Sequence, residues 1–212
     1  GEYLNRVRAR HARELLDAGT PITDVAFALG FEALGAFYRM FKQETGQTPQ
    51  QYRDRRSTTT FAECESPIGK LVAVAAAGSL VRLLLPTDSA TDIGVPGSGG
   101  VLDEAIGQLD EYFNAARREF DLPISPRGTA FQRSVWDALR RIGYGRTASY
   151  AAIAAQVGSP KAARAVGQAN NRNPIPVVIP CHRVIGSGGS LVGFRGGVDA
   201  KRWLLEHELS HA

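Results

Sequence analysis

The sequence is poor in cysteine and contains no long apolar run. Its 212 residues include only two cysteines, Cys64 and Cys181, which lie far apart in the chain. Two distant cysteines form neither a disulfide framework nor the close spacing of a zinc site, which indicates a reducing compartment. No segment approaches the roughly 20 apolar residues of a membrane span, and residues 1–15 lack the apolar segment of a signal peptide. We therefore expect a soluble, cytoplasmic protein.

Charge is distributed unevenly along the chain, although the formal net charge is only +4. Residues 58–126 carry 4 basic and 10 acidic side chains, whereas residues 127–212 carry 12 basic and 4 acidic ones. The basic last third predicts an anionic partner such as DNA, which would avoid the acidic middle. The alternative is that the two blocks attract each other across a domain interface.

Residues 1–57 have the pattern of several short helices. Four side chains in residues 3–18 recur at helical spacing and predict a face packed on a core: Leu4, Val7, His11 and Leu15. Two further short helices are separated by a turn near Gly30, with Phe37 and Phe41 on one face of the second. This is the helix-turn-helix pattern, which places its second helix in the DNA major groove, although other small helical bundles share it.

The rest of the chain changes character twice. Residues 58–126 contain strand-like apolar runs and an acidic amphipathic helix, and we assign them to scaffold. Residues 129–142 predict a helix whose apolar face includes Val135, Trp136 and Leu139.

Residues 149–171 predict a second helix-turn-helix. Ser149 is placed to cap its first helix, and Ser159-Pro160 to begin its second. The second helix is rich in alanine and carries Arg164. A thin helix with one long cation fits a minor groove roughly 6 Å wide. The alternative is that its alanines pack closely on a neighbouring element.

The stretch VVIPCHRVIG, residues 177–186, places Cys181 directly before His182. Three prolines in residues 174–180 exclude a helix and predict an extended segment that ends at Cys181. A thiol is a strong nucleophile only as thiolate, and an imidazole can accept its proton when a carboxylate such as Glu208 orients the ring. Neighbours on an extended segment point to opposite faces, so a water molecule would link them. The alternatives are an inert buried cysteine and the nucleophile of a cysteine hydrolase.

Residues 21–53, PITDVAFALGFEALGAFYRMFKQETGQTPQQYR, resemble the C-terminal helix-turn-helix of AraC-type transcription regulators. These regulators usually carry two such units joined by a long helix, and the residues before 21 resemble that linker. The resemblance implies promoter DNA as a partner of residues 1–57, and a longer protein of which this chain is the last part. The matching positions are Ala26, Gly30, Phe31, Phe37, Phe41, Lys42, Gly46, Thr48, Pro49, Tyr52 and Arg53.

Residues 61–208 resemble the O6-alkylguanine-DNA alkyltransferases. The resemblance rests on NPIPVVIPCHRV, with SYAAIAAQVGSPKAARAVG before it and GFRGGVDAKRWLLEHE after it. Together with the AraC-type unit, it is similar to the C-terminal part of Ada-type DNA repair and response proteins. It implies an α/β protein with an all-α helix-turn-helix unit at 1–57, a small ribonuclease H-like α/β subdomain at 58–126, and a mostly helical DNA-binding and active-site domain at 127–212.

The resemblance also implies catalytic roles without any metal or cofactor. Cys181 takes the alkyl group from O6 of guanine in duplex DNA and keeps it as a thioether, so each molecule reacts once. His182 deprotonates Cys181 through a water, and Glu208 holds the tautomer of His182. Asn173 fixes the active-site turn by hydrogen bonds.

Further implied roles concern DNA, which a monomer would bind with its damaged nucleotide flipped out through the minor groove. Tyr150 contacts the phosphate of the rotated nucleotide or donates to the leaving base, and Arg164 fills the gap in the stack.

The sequence departs from the family pattern at two positions: Gly143 stands where the family often has proline, and some relatives carry a smaller side chain at the position of Arg195. The alternative function is an AraC-type regulator whose C-terminal domain mainly senses alkylation. The base pocket is lined by Val184, Phe194, Arg195 and Gly196.

Overall fold

The computed structural model describes residues 2–57, 59–91 and 93–212, and it divides the chain into two compact units. The first unit is Gly1–Thr59 with Asp92–Val95, and the second is Thr60–Thr91 with Pro96–Ala212. Each unit has its own cluster of buried apolar side chains. The finer division at 57/58 and 126/127 stays a prediction, and the first of these boundaries meets Thr58, which lies outside the described residues.

Four helices form the first unit, and aromatic side chains fill its core. Phe37 and Phe41 are both fully buried, which confirms the predicted face of the second helix of the helix-turn-helix. Their ring centres lie 5.7 Å apart. The helices are α1 (Glu2–Asp17), α2 (Ile22–Ala28), α3 (Leu34–Thr45) and α4 (Pro49–Ser57).

The predicted face of α1 is wrong at three of its four positions. Leu4, Val7 and His11 are exposed, and Leu15 packs half-buried against the core. Ala9, Ala12 and Leu16 are buried instead. Helix α1 packs against α3, and alanine side chains let two helix backbones approach closely. The small residues therefore decide which face of α1 is covered.

After α4 the chain forms a four-stranded sheet of order β3-β2-β1-β4. Strands β2 and β3 pair antiparallel, with Val72 opposite Leu84 and Ala73 opposite Leu83. Helix α5 packs against both of these strands. The elements are β1 (Thr59–Cys64), β2 (Leu71–Ala76), β3 (Ser79–Leu84), β4 (Val95–Pro96) and α5 (Val101–Phe113).

Helices dominate the remainder of the second unit. The predicted apolar face of α6 is confirmed, because Val135, Trp136 and Leu139 are buried. The Trp136 indole N–H donates to the carbonyl of Ala169 at 3.0 Å and so ties α6 to α8. The elements are α6 (Ala130–Leu139), β5 (Ala148–Ser149), α7 (Tyr150–Gln156), α8 (Ala163–Asn171), a 3-10 turn (Cys181–Arg183), β6 (Val184–Ile185) and α9 (Val198–Ser210).

Helices α7 and α8 adopt the predicted helix-turn-helix order, with one boundary displaced. Ser149 caps α7 as expected, since its hydroxyl accepts from the backbone N–H of Ala152 at 3.1 Å. Helix α8 begins at Ala163 and not at Ser159-Pro160. The backbone N–H of Ala162 donates to the carbonyl of Ser159, which closes a separate turn before the helix begins.

Among the described residues, no helix combines the length and the apolar character that crossing a membrane requires.

Candidate active site

Two short parallel strands bring distant parts of the second unit together. Ala148 of β5 pairs with Val184 of β6. Strand β5 leads directly into Tyr150, and β6 directly follows the 3-10 turn that starts at Cys181. Burial raises the pKa of the Tyr150 hydroxyl, and the Cys181 sulfur raises it further. The pairing therefore joins the start of α7 to the segment that follows Cys181.

Asn173 closes the turn that precedes Cys181. Its Oδ1 accepts from the backbone N–H of Ile175 at 3.0 Å, and its Nδ2 donates to the carbonyl of Ile179 at 2.8 Å. The N–H of Cys181 donates to that same carbonyl at 2.8 Å. The predicted extended segment is therefore wrong: residues 174–180 curl into a turn, because one buried carboxamide bonds to both of its ends.

Val177 lies within this turn in an unfavourable backbone conformation. Its φ is +71°, in the left-handed region that β-branched residues rarely adopt. Such a residue costs about 1–3 kcal/mol and persists only where its surroundings hold it in place. Val177 is buried, and the N–H of Ile179 donates to the carbonyl of Ile175 across it at 2.9 Å. The turn that aims Cys181 is thus tightly fixed.

The thiol of Cys181 is buried and requires help to lose its proton. Burial raises its pKa, while the carboxamide of Asn173 and the cationic side chains of Arg195 and Lys201 oppose that effect. Only 5% of the residue is exposed. Because the thiolate is the reactive form, a nearby proton acceptor is needed for nucleophilic chemistry.

His182 is a neutral imidazole with a defined tautomer. Its Nε2 lies 2.8 Å from Oε1 of Glu208, and a carboxylate only accepts, so Nε2 carries the proton. Nδ1 is then an acceptor, and it is buried without a hydrogen-bond partner among the described residues. Burial lowers the pKa of His182, as do Arg183 and Lys201, while Glu208 opposes them.

Glu208 gathers donors from three parts of the unit: the 3-10 turn, the loop at Gly145, and α5. Besides His182, its carboxylate accepts from Arg183 Nε at 2.9 Å, from the backbone N–H of Gly145 at 3.1 Å, and from the Tyr112 hydroxyl at 2.7 Å. Burial alone would raise the pKa of Glu208, but the hydrogen bond from His182 and the hydrogen bonds and charge of Arg183 lower it to about 2. The carboxylate is therefore ionised and fixed.

Lys201 is a fully buried cation that the sequence analysis did not single out. Its Nζ donates to the carbonyl of Val184 at 2.6 Å and to that of Val192 at 2.8 Å. These bonds fasten β6 to the glycine-rich loop that follows it. Within the described part of the chain no carboxylate pairs with Lys201. Burial lowers its pKa, and the neighbouring Cys181 opposes that shift.

The predicted pocket residues lie around the same turn. Val184 is buried, and the ring of Phe194 meets that of His182 edge-on, with centres 6.5 Å apart. At Gly196 a side-chain carbon would lie 2.8 Å from the Phe194 ring and 3.0 Å from Leu85, so the backbone passes too close for any larger residue.

Two further predicted residues, Arg195 and Tyr150, make contacts within and beside the glycine-rich loop. The guanidinium of Arg195 lies 2.9 Å from the Asp88 carboxylate. The Tyr150 hydroxyl donates to the carbonyl of Val192 at 3.2 Å, in the glycine-rich loop. These contacts hold the loop from both sides.

Arg164 stands apart from this buried group. It lies in the first turn of α8, and its side chain is exposed. The residues that the sequence analysis missed, Tyr112, Arg183 and Lys201, are all buried polar groups. The one sequence signal for them was a polar side chain within or beside an apolar helical or strand pattern. The described residues contain no cluster of histidine, cysteine and acidic side chains that could hold a metal ion.

Comparison with known families separates the two units. Residues 130–210 match the profile of the 6-O-methylguanine DNA methyltransferase DNA binding domain. Residues 1–55 match the profile of a helix-turn-helix domain. The second unit is thus of a DNA-binding methyltransferase class, and the first is a separate helix-turn-helix module.

Individual relatives agree. The methylated-DNA–protein-cysteine methyltransferase of Mycobacterium leprae is 48% identical over 147 residues, which are 68% of this chain and 88% of that protein. The constitutive enzyme of that name from Bacillus subtilis is 44% identical over 155 residues, 70% and 94% of the two chains. The crystal structure of Mycobacterium tuberculosis OGT in complex with DNA matches with a TM-score of 0.68 and 46% identity, over 72% of this chain and 94% of that one. The chain belongs to the methylated-DNA–protein-cysteine methyltransferase family. An α/β protein with a helical N-terminal unit is thereby confirmed.

The depressed pKa of Glu208 predicts a specific pH dependence of stability. A carboxyl with a lowered folded-state pKa stabilises the fold above its ordinary value of 4.5, and this stabilisation is lost as the pH falls towards about 2. We expect Glu208→Gln to lower the free energy of unfolding, and the deficit relative to wild type to shrink across that window. Both tryptophans lie in the second unit, so denaturant titrations followed by tryptophan fluorescence report on it.

The matched control is Glu206→Gln, an exposed carboxylate on the same helix. Its difference from wild type should stay small at every pH. A deficit in Glu208→Gln that does not vary between pH 4.5 and 2 would contradict the account.

Proposed function

We propose that this protein repairs DNA by transferring the alkyl group from O6 of an alkylated guanine to the sulfur of Cys181. The observation that carries the proposal is the buried Cys181–His182–Glu208 group, found in a chain of the methylated-DNA–protein-cysteine methyltransferase family. The thioether has no simple route back to a thiol. Each molecule therefore reacts once, and the activity is stoichiometric.

The reaction balances without an external reagent. The Cys181 sulfur forms a bond to the alkyl carbon as the bond between that carbon and O6 breaks. The thiol proton passes through a water to Nδ1 of His182. The proton on Nε2 of His182 stays in place and remains hydrogen-bonded to Glu208. The departing guanine takes a proton from the Tyr150 hydroxyl or from water, and the thiol proton that His182 releases restores that donor, so that in total the thiol proton replaces the alkyl group on the base. Asn173 holds the turn from which the sulfur attacks.

The proposed ligand is double-stranded DNA with its damaged nucleotide rotated out of the stack. O6 inside a duplex cannot be reached, and flipping costs a few kcal/mol, least for a poorly paired base. Arg164 is exposed in the first turn of α8, where its side chain can enter the stack and hold the gap open. Tyr150 contacts the rotated nucleotide or donates to the leaving base. The net positive charge of residues 127–212 supplies contacts to phosphates.

The base pocket is formed by the residues around the 3-10 turn. Val184 and Phe194 give it apolar walls, and Gly196 lets the backbone pass close to Phe194 and Leu85. Arg195, held by Asp88, sets the size of alkyl group that fits.

Finer features of the proposal concern organisation and place. Residues 1–57 form an AraC-type unit that contacts promoter DNA, residues 58–126 form a ribonuclease H-like subdomain, and residues 127–212 carry DNA binding and catalysis. The protein acts as a monomer in the cytoplasm, where its two free cysteines stay reduced.

A second candidate function is transcription regulation with alkylation as the signal. The helix-turn-helix profile over residues 1–55 favours it. The two functions are compatible, because alkylation of Cys181 would be both the repair event and the signal. We expect weak promoter binding by this chain, and tight, sequence-selective binding in a titration would favour the regulator.

The decisive variant is Cys181→Ala. Wild-type protein mixed with duplex DNA that carries one O6-methylguanine is expected to gain one methyl group per molecule, measured by intact-protein mass spectrometry. Cys181→Ala should gain none, because it lacks the acceptor sulfur. Cys64→Ala, which removes the other thiol, should react like wild type. Folded, reduced wild-type protein that gains no mass would refute alkyl transfer.

Arg164 provides a test of base flipping. We expect Arg164→Ala to slow transfer from duplex DNA by at least about tenfold, since a gap that costs a few kcal/mol is no longer held open. Its reaction with the free O6-methylguanine base should be unchanged, because no flipping is needed. Single-turnover rates are measured with saturating duplex DNA for the first reaction and with excess free base for the second. Lys161→Ala, an exposed cation in the preceding turn, is the control. Equal slowing on duplex and free base would contradict the role of Arg164.

A further inference from the structure

Tyr112 connects helix α5 to the carboxylate of the active site. It lies outside residues 130–210, in the part of the chain that the sequence analysis assigned to scaffold. It is fully buried, and its hydroxyl donates to Oε1 of Glu208 at 2.7 Å. The same oxygen accepts from Nε2 of His182 at 2.8 Å. One oxygen atom therefore joins the Tyr112 phenol to the imidazole beside Cys181.

The main chain of Tyr112 makes a second bond to helix α9. Its carbonyl accepts from Nε2 of His207 at 2.8 Å. His207 and Glu208 are consecutive residues, so Tyr112 is bonded to both and sets the position of the last turns of α9. Any residue at position 112 could make this main-chain bond, so the hydroxyl bond to Glu208 is what distinguishes tyrosine from phenylalanine here.

Other polar groups around Glu208 have separate roles. Arg183 neutralises the carboxylate: its Nε donates to Oε2 and its Nη2 donates to Oε1, each at 2.9 Å. The backbone N–H of Gly145 bonds to Oε2, away from His182. Lys201 acts on His182 by charge alone. Among the described residues, only Tyr112 contributes a neutral side-chain hydroxyl to the oxygen that faces His182.

The aromatic neighbour of Tyr112 provides a built-in comparison. The ring of Tyr144 meets that of Tyr112 edge-on, with centres 6.1 Å apart. Arg183 and Arg118 each lie 5.8 Å from the Tyr144 ring centre. The Tyr144 hydroxyl is buried and has no hydrogen-bond partner among the described residues. It resembles Tyr112 in place and size but not in its contact with Glu208.

We propose that Tyr112 is a positioning residue for the proposed reaction: its hydroxyl fixes Oε1 of Glu208 opposite Nε2 of His182 and draws off part of the carboxylate's charge. The inference rests on the proposed function only for the identity of the substrate. Its consequence for His182 follows from the hydrogen bonds alone, and its consequence for Cys181 follows from the proposed proton transfer between these two residues. A carboxylate that also accepts a hydrogen bond from a phenol attracts the imidazole proton less. His182 therefore remains neutral, and able to accept a proton, down to a lower pH.

The sign of the expected effect follows directly. In Tyr112→Phe the carboxylate loses one donor, becomes more basic and stabilises the protonated form of His182. The half-maximal point on the acid side of the rate–pH profile should therefore move to higher pH, by about half to one unit. A purely structural loss would lower stability without moving that point.

The experiment measures alkylation of Cys181 by iodoacetamide as a function of pH, with the mass of the intact protein as readout. Cys64→Ala serves as the parent so that only Cys181 is followed. Tyr112→Phe is expected to shift the acid-side midpoint, and Tyr144→Phe is expected to leave it in place. Equal midpoints in all three proteins, or equal shifts in both variants, would overturn the inference.

Two additions keep the outcomes separable. The same variants are assayed with duplex DNA carrying O6-methylguanine. If iodoacetamide alkylates Cys181 in the parent protein but DNA transfers no methyl group to it, the proposed function fails. The pH profile then decides the inference about Tyr112 on its own. If Tyr112→Phe does not fold, an NMR measurement on the wild-type protein tests the inference instead. Its Tyr112 hydroxyl proton is expected as a slowly exchanging NMR signal with a nuclear Overhauser contact to the His182 ring, and absence of that contact overturns the proposal.

Discussion

A single buried carboxylate holds the active site together. Removing a charge from water costs several kcal/mol, and this cost is recovered only where every lone pair finds a donor in good geometry. Glu208 meets the condition with donors from α5, the Gly145 loop and the 3-10 turn. Elements that are far apart in sequence must therefore converge on the end of α9. The orientation of His182, and with it the acceptor available to Cys181, follows from this convergence.

The aim of the sulfur depends on a different constraint, the closed turn before Cys181. The carboxamide of Asn173 bonds to both ends of the turn, and Val177 is held at positive φ inside it. Pairing of β5 with β6 then joins the strand that leads into Tyr150, at the start of the helix-turn-helix, to the strand that follows the 3-10 turn. Backbone geometry thus links the helix-turn-helix to the segment that carries the nucleophile. A rigid, correctly aimed sulfur is what attack on an alkyl carbon requires.

The sequence predicted the local chemistry better than the long-range contacts. The Cys181–His182–Glu208 set could be proposed because cysteine, imidazole and carboxylate have well-defined roles, and because the surrounding motif resembles a known family. The buried face of α1 was wrong, because close backbone packing favours Ala9 and Ala12 over larger apolar residues. The role of Tyr112 could not be predicted, because a tyrosine in an amphipathic helix is usually a core residue. Its partner Glu208 also lies 96 positions away in the sequence. Such contacts exist only in three dimensions.

The tautomer of His182 tests the central claim most directly. Selective 15N labelling of the histidines, of which the chain has four, allows each ring nitrogen to be assigned by NMR in the intact protein. The account predicts a neutral ring at pH 7 with the proton on Nε2, bonded to Glu208, and a bare Nδ1. In Glu208→Gln the proton should no longer be confined to Nε2. A proton on Nδ1 in the wild-type protein, or an imidazolium at pH 7, would contradict the claim that Glu208 prepares His182 to accept the thiol proton.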